Sequence, residues 1–344
     1  MNAPEFEPVR VGFVGCGRQA SRSWYPNFVT IPELDLVACC DLKPDLAERT
    51  ARFFGARRWY TDLREMLASE ELDAAMVVGP PDMHVVCGRL CLEAGLHVMM
   101  EKPPAFRTED AGALVALAEE KDVVTQVGHN MRHATAVSKF KELMATPEFG
   151  ELLFLESRYF MPSPGWKEDA GYREGWAYMI FQATHPVDLA RHVGGEIVRL
   201  YATLAMGRES RFTIACAVEF EGGANGTITL SASNPNWTGR LDAEGDAPAH
   251  LSLVDMNTLC FEPKLPGSGY SNTPGLPAHT WRTPFRDSGE QRAGYWGQMV
   301  AFARAVRLGE PTYPTLRDGY QAMRVCEAML QSIDTREPVE VPVF

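Results

Sequence analysis

The stretch HVMMEKPPAF at 97–106 runs four residues fit to end a buried strand straight into Glu101, Lys102 and two prolines. A lysine at the edge of a core is costly unless something needs its charge. In a parallel sheet, ligands bind beyond the carboxyl ends of the strands. Lys102 stands at such an end, so its ammonium is expected to face a cleft. A second constellation lies upstream, where Gly15, Gly17 and Ala20 in GCGRQA form G-x-G-x-x-A. Gly15 allows the tight turn, Gly17 lets the backbone approach a pyrophosphate, and the small Ala20 lets helix and strand pack closely. The pyrophosphate is expected on the N-terminus of the following helix, where free N–H groups and the dipole favour an anion, which brings Arg18 and Gln19 into the set. Asp41 lies 21 residues past Ala20, at the end of the next apolar run, near the spacing of a carboxylate that grips a ribose 2′-hydroxyl. Such a group accepts from the diol and repels a 2′-phosphate, so NAD is favoured. Lys43 and the pair Arg57–Arg58 are the cations through which NADP remains possible.

These residues need a frame, and the first 130 residues supply one in a steady alternation. Apolar runs at 9–15, 34–41, 73–79, 97–101 and 124–128 are short, rich in Val and Met and without in/out alternation, as strands covered on both faces should be. Helical patterns at 44–55, 63–71, 82–95 and 108–122 lie between them, with Thr108 a helix start and Gly95 a stop. The alternation predicts α/β architecture, a parallel doubly wound sheet. After residue 130 the character changes. A helix is expected near 134–145, then strands with alternating faces such as RFTIACAVEFEGG and ANGTITLSASN, which face each other across a hairpin-like connection. Residues 162–175 and 262–290, rich in Pro, Gly, Ser and Asn, are expected as ordered loops or arms. Two helices close the chain, at 295–309 and 316–334.

With 344 residues the chain fits two domains. Its 45% hydrophobic and 23% charged residues describe a soluble globular protein, and a net charge of −12 argues against nucleic acid or an anionic membrane. MNAPEFEPVRVGFVG has no basic segment followed by an apolar run, so no signal peptide is expected. No stretch reaches the ~20 apolar residues of a membrane helix. The eight cysteines include no C-x-x-C pair, which fits buried thiols in a reducing cytoplasm.

The residues at Lys102 also carry a resemblance. GCGRQA (15–20), GPPDMH (79–84), EKP (101–103), GHNMR (128–132) and DGYQAMRVCEAMLQSI (318–333) together resemble the Gfo/Idh/MocA family of NAD(P)-dependent sugar and cyclitol oxidoreductases, over nearly the whole chain. The resemblance implies a Rossmann NAD(P)-binding domain over 1–128. An α+β domain over 129–344 follows, with a large open, mostly antiparallel sheet for substrate binding and oligomerisation. It implies an enzyme that passes hydride between NAD(P) and a secondary alcohol or ketone of a sugar, sugar derivative or cyclitol. It implies a cytoplasmic homodimer or homotetramer. On the cofactor side it adds Gly79, Pro80, Pro81, His84, Glu101, Lys102, Pro103 and Asn130. Lys102 becomes the donor that steadies developing alkoxide charge, and its burial and neighbours would set its pKa.

The family's D-x-G-x-H matches FQATH here, so His185 takes the acid/base position, where the pKa of histidine suits the proton of a carbinol. The family aspartate is replaced by Phe181, which cannot orient an imidazole. Candidates for the missing support are Asp188, three residues on along the helix, Asp169, Gln182 and Tyr178, with Arg132 closing the N-x-R stretch. Trp166, Tyr172, Trp176 and Tyr178 crowd the segment before His185 and either stack on a sugar ring or anchor the loop. Arg158, Arg173, Arg282 and Arg286 either grip an anionic group or form solvated ion pairs. His185, Asp188 and His192 at i, i+3 and i+7, and His129 with His133, have metal-like spacing, but no metal is expected. Two rival readings keep the fold: a redox-neutral NAD-dependent glycosidase or epimerase, and a non-catalytic NAD(P)-binding regulator.

Overall fold

The computed structural model describes residues 6–162, 173–264, 279–284 and 293–344. The chain divides into two compact units, Met1–Asn130 with Gly294–Tyr320, and Met131–Ala293 with Gln321–Phe344. Among the described residues no helix is long and apolar enough to cross a membrane.

In the first unit six parallel strands lie in the order β3-β2-β1-β4-β5-β6. They are β1 Val9–Val14, β2 Leu34–Cys40, β3 Arg58–Tyr60, β4 Ala74–Val77, β5 His97–Met100 and β6 Thr125–Val127. The order reverses between β1 and β4, so the crevice of a doubly wound sheet opens at their carboxyl ends. All five apolar runs are strands. They lack alternation because both faces are covered: every residue of β4 and β6 is buried. β3 escaped the sequence reading because RWY forms no apolar run and two of its residues are exposed at the sheet edge. Pairing with Ala38–Cys40 makes it a strand. The intervening helices are Pro44–Phe54, Leu63–Ser69, Pro81–Glu93 and Thr108–Lys121. Gly95, with φ 76°, follows the third of them, the left-handed stop glycine favours.

Residues 294–320 belong to this unit through bonds of long sequence separation. The helix Tyr295–Leu308 carries Arg307, which donates to the Pro8 carbonyl at 2.8 Å and reaches Asp73 Oδ2 at 2.5 Å. Gln126 Nε2 donates to the Gln298 carbonyl at 2.8 Å, and Val127 N–H donates to Pro314 O at 2.7 Å. β6 is an edge strand, so these bonds blunt an edge that would otherwise offer unpaired backbone groups.

The second unit is built on nine strands in the order β14-β13-β12-β11-β7-β10-β9-β8-β15. They are β7 Leu152–Pro162, β8 Ile197–Met206, β9 Phe212–Phe220, β10 Asn225–Ser231, β11 Ser233–Gly245, β12 Ala249–Val254, β13 Thr258–Glu262, β14 His279–Arg282 and β15 Val339–Glu340. Every pairing is antiparallel except β7 with β10. β9 alternates strictly between buried and exposed residues, the sign of a sheet with one covered face. The hairpin expected after Phe220 is present, closed by Phe220 N–H to Ala224 O at 2.9 Å. The helix Thr135–Met144 precedes β7, and the helix Thr184–Gly194 packs on it, with Ser157 Oγ donating to Pro186 O at 3.1 Å. That contact fixes His185 against the sheet. Most of the expected loop segments 162–175 and 262–290 lie outside the described residues, while 279–282 form β14.

Candidate active site

β1 ends at Val14 and the chain turns at Gly15, whose φ of 104° is strained for any L side chain. A Cβ there would lie 2.0 Å from the Val78 carbonyl oxygen. Gly17 is different, since a Cβ on it would meet nothing within 4 Å. No protein neighbour demands that glycine, and the bare backbone is left open for close approach by a pyrophosphate. Arg18, exposed, and Gln19 open the helical segment that continues as a π-helix over Ala20–Trp24, with Ala20 buried. Asp41 follows β2 and is tied down twice. Its Oδ2 accepts from Cys16 N–H and its Oδ1 from Lys43 N–H, both at 2.9 Å. A carboxylate so held keeps lone pairs for a ribose diol. Arg57 and Arg58 pair with Asp35 and Glu70 at 2.5 and 3.3 Å, and Lys43 is exposed. The open glycine and the tethered carboxylate fit a dinucleotide.

β5 delivers Glu101 and Lys102 to its carboxyl end. Glu101 is buried, its Oε2 accepting from Lys102 N–H at 2.9 Å and its Oε1 from Gln19 Nε2 at 3.3 Å. The same Gln19 amide donates to the Tyr295 hydroxyl at 2.9 Å, so the glycine turn is linked to the lysine segment. Gly128 leaves room for the Glu101 carboxylate, since a Cβ there would come 2.3 Å from Glu101 Oε2 and displace it. Lys102 is half-buried; desolvation lowers its pKa and the Glu101 carboxylate opposes that shift. Gly79 N–H donates to His84 Nε2 at 3.1 Å, and His84 Nδ1 lies 2.8 Å from Pro103 O. Since Nε2 accepts, Nδ1 carries the proton and donates. Burial brings the His84 pKa down to about 4, the Pro103 carbonyl opposing and the Lys102 charge reinforcing the shift. His84 therefore bolts the Gly79-Pro80-Pro81 turn to the Glu101-Lys102-Pro103 segment, with both ring nitrogens engaged by protein. Asn130 is buried at the head of the 3-10 turn Asn130–His133.

In the second unit His185 is the second residue of the helix Thr184–Gly194 and is half-exposed. The preceding turn, Met179–Ala183, is a π-helix, a distortion frequent at functional sites, and Phe181 within it is half-exposed. Asp188 is bound to two arginines. It is buried and accepts two bonds from Arg132, from Nε at 2.8 Å and from Nη2 at 2.6 Å, with Arg191 at 3.8 Å. Arg132 and Asp188 thus neutralise each other inside the unit. His192 is held neutral, its pKa brought down to about 3 by burial, then by Arg132 and Lys141. Among the described residues no three His, Cys, Asp or Glu side chains gather as a metal site requires.

What flanks His185 is aromatic. The Tyr159 ring on β7 stacks on the imidazole, centroids 6.0 Å apart and planes at 22°, and the Tyr159 hydroxyl donates to Gln182 Oε1 at 3.4 Å. Nothing in the sequence marked Tyr159, because its role depends on which helix lies over β7. Trp176 is 1% exposed and Tyr178 5% exposed, so both anchor the segment rather than offer a face to a ring. The Tyr178 ring meets Phe212 edge-on at 4.6 Å, and burial raises its phenol pKa, which removes it as a ready proton donor. Arg158 pairs with Glu156 at 2.7 Å and Arg173 with Asp334. Trp166, Asp169, Tyr172 and Arg286 lie outside the described residues.

A dinucleotide turn with a tethered carboxylate, in a chain that also carries a histidine at a helix entrance on a mixed sheet, defines the class of nicotinamide-dependent oxidoreductases. Two family models match, one described as the oxidoreductase family, NAD-binding Rossmann fold, over residues 9–129, the other as the GFO/IDH/MocA C-terminal domain, over residues 137–247. The chain belongs to the GFO/IDH/MocA family of oxidoreductases. Levoglucosan dehydrogenase of Pseudarthrobacter phenanthrenivorans is 22% identical, the match covering 96% of each chain. Myo-inositol 2-dehydrogenase of Thermotoga maritima is 23% identical over 97% of this chain and 98% of its own. Among solved structures, a dehydrogenase from Chromobacterium violaceum matches with TM-score 0.88 at 24% identity, over 96% of this chain and 97% of that one. Levoglucosan dehydrogenase in complex with NADH and L-sorbose matches with TM-score 0.86 at 19% identity, over 98% and 100%. These structural likenesses establish the shared fold.

Proposed function

We propose that the protein is an NAD-dependent dehydrogenase acting on a secondary alcohol of a ring polyol, whether a sugar, a sugar derivative or a cyclitol, or reducing the matching ketone. Bound NAD supplies the hydride acceptor. Asp41 holds the adenosine ribose, and the tethering of both its oxygens, with Arg57 and Arg58 drawn to Asp35 and Glu70, supports NAD over NADP. Lys102 donates to the reacting oxygen and stabilises negative charge as it develops there. His185, as neutral imidazole, takes the hydroxyl proton. The observation that carries the reading is Lys102 itself, a half-buried cation beside buried Glu101 at the carboxyl end of β5. The relatives named for levoglucosan and myo-inositol support the substrate class. A cytoplasmic homodimer or homotetramer belongs to the same reading, the first point resting on eight free cysteines.

The test is the absorbance of reduced nicotinamide with a panel of sugars and cyclitols, NAD and NADP in parallel. A substrate-dependent rise with NAD, lost in Lys102→Ala while NAD still binds, is the expected result. NAD binding with no rise from any polyol and no ketone reduction overturns it. Turnover by protein that retains NAD without added cofactor identifies the redox-neutral enzyme instead.

A further inference from the structure

The second unit holds an aromatic side chain that the chemistry above does not use. β11 leaves its register with β7 between Ser233, which faces Pro162, and Thr238, which faces Phe160. Four residues, Asn234, Pro235, Asn236 and Trp237, therefore stand opposite Met161 alone. Pro235 has no N–H to give a ladder, and Asn234 Nδ2 donates to Asn236 O at 2.6 Å, which closes the bulge on itself. Bulges of this kind re-aim side chains and recur beside active sites. Here the residue re-aimed is Trp237.

Its placement is determined from two sides. The indole lies over Gly239, where a Cβ would come 3.1 Å from Trp237 Cζ2, and it stands edge-on to Tyr159, centroids 6.0 Å apart and planes at 76°. Tyr159 is also the ring stacked on His185. Trp237, Tyr159 and His185 thus form one row in which the middle ring is buried and the outer two expose surface, Trp237 at 38%. Burial pushes the Tyr159 phenol up to about 12, so the middle of the row stays neutral. A large aromatic left in water one ring removed from a proton-transferring imidazole is what a ring polyol requires. The ring's C–H face is apolar and lies on an aromatic face, while its rim hydroxyls meet polar groups.

We propose that Trp237, backed by Tyr159, is the platform on which the substrate ring lies beside His185. The proposal rests on the reading of the chain as a polyol oxidoreductase, and its test separates the two. Full-length protein with its seven tryptophans replaced by 5-fluorotryptophan is observed by fluorine NMR, with Trp237→Phe assigning the Trp237 resonance. Levoglucosan, myo-inositol and methyl glucoside are the probes, each also assayed for turnover with NAD. A saturable shift of that resonance by a probe is expected, together with a rise in KM of about tenfold in Trp237→Ala, less in Trp237→Phe, at little-changed kcat and NAD affinity. A probe that is turned over without moving the resonance, or with KM unchanged in Trp237→Ala, overturns the platform and leaves the dehydrogenase standing. A probe that moves the resonance without turnover upholds the platform and tells against the dehydrogenase. No shift from any probe overturns the platform.

Discussion

At the scale of single residues, the chemistry rests on how each polar group is satisfied. His185 has the Tyr159 ring stacked on it, and Asp188, three residues on, is bound to Arg132. His185→Asn is expected to lower kcat by about 10²–10⁴ while NAD affinity, measured by quenching of protein fluorescence, stays within about twofold. An NAD affinity that falls in step with kcat would instead mean the histidine shapes the fold. His84 illustrates the opposite use of the same side chain. With both nitrogens engaged and no exposed surface, it holds a loop and moves no proton.

At the scale of elements, the helix Thr184–Gly194 does two jobs. It sets His185 on Tyr159 of β7, and one turn on it buries Asp188 against Arg132 of the 3-10 turn. A buried ion pair is of modest worth as a pair but costly to break, because the surviving charge is left desolvated. Asp188→Leu is therefore expected to cost about 3–5 kcal/mol in urea unfolding, with Arg132→Leu/Asp188→Leu recovering most of it. If the single variant unfolds at the wild-type urea midpoint but loses kcat, the pair is catalytic and this account is wrong. The sequence spacing that set Asp188 three residues after His185 was sound helical geometry. It did not say which direction the helix turns that face, and that depends on Arg132, distant along the chain.

At the scale of the whole molecule, buried His84 and half-buried His192 link stability to pH. Burial takes His84 and His192 from 6.5 down to about 4 and about 3 in the folded state. Unfolding restores the ordinary value, so below pH 6.5 the unfolded chain binds up to two protons more at these two histidines, and His97, whose pKa burial also lowers, adds to the difference. Stability is then full above that pH and falls as pH drops toward about 4, the sign set by the unfolded state's greater proton uptake. Thermal unfolding followed from about pH 7 to about pH 4.5 should show this decline, and His84→Gln, which removes one titrating group, should flatten it. A variant as steep as wild type would place the linkage elsewhere. The glycine turn, the carboxylate after the second strand and the lysine at the end of the fifth apolar run were legible in the linear chain, as were the five covered strands and the change to alternating strands after residue 130. Each is local: a glycine forced by backbone angle, a carboxylate at fixed spacing, a run with both faces dry. Edge strand β3, the return of residues 294–320 to the first unit, the Arg132–Asp188 pair and the Tyr159–Trp237 row were not. Each of these depends on groups brought together from distant parts of the chain, and side chains are buried, paired or exposed according to the neighbour that folding supplies.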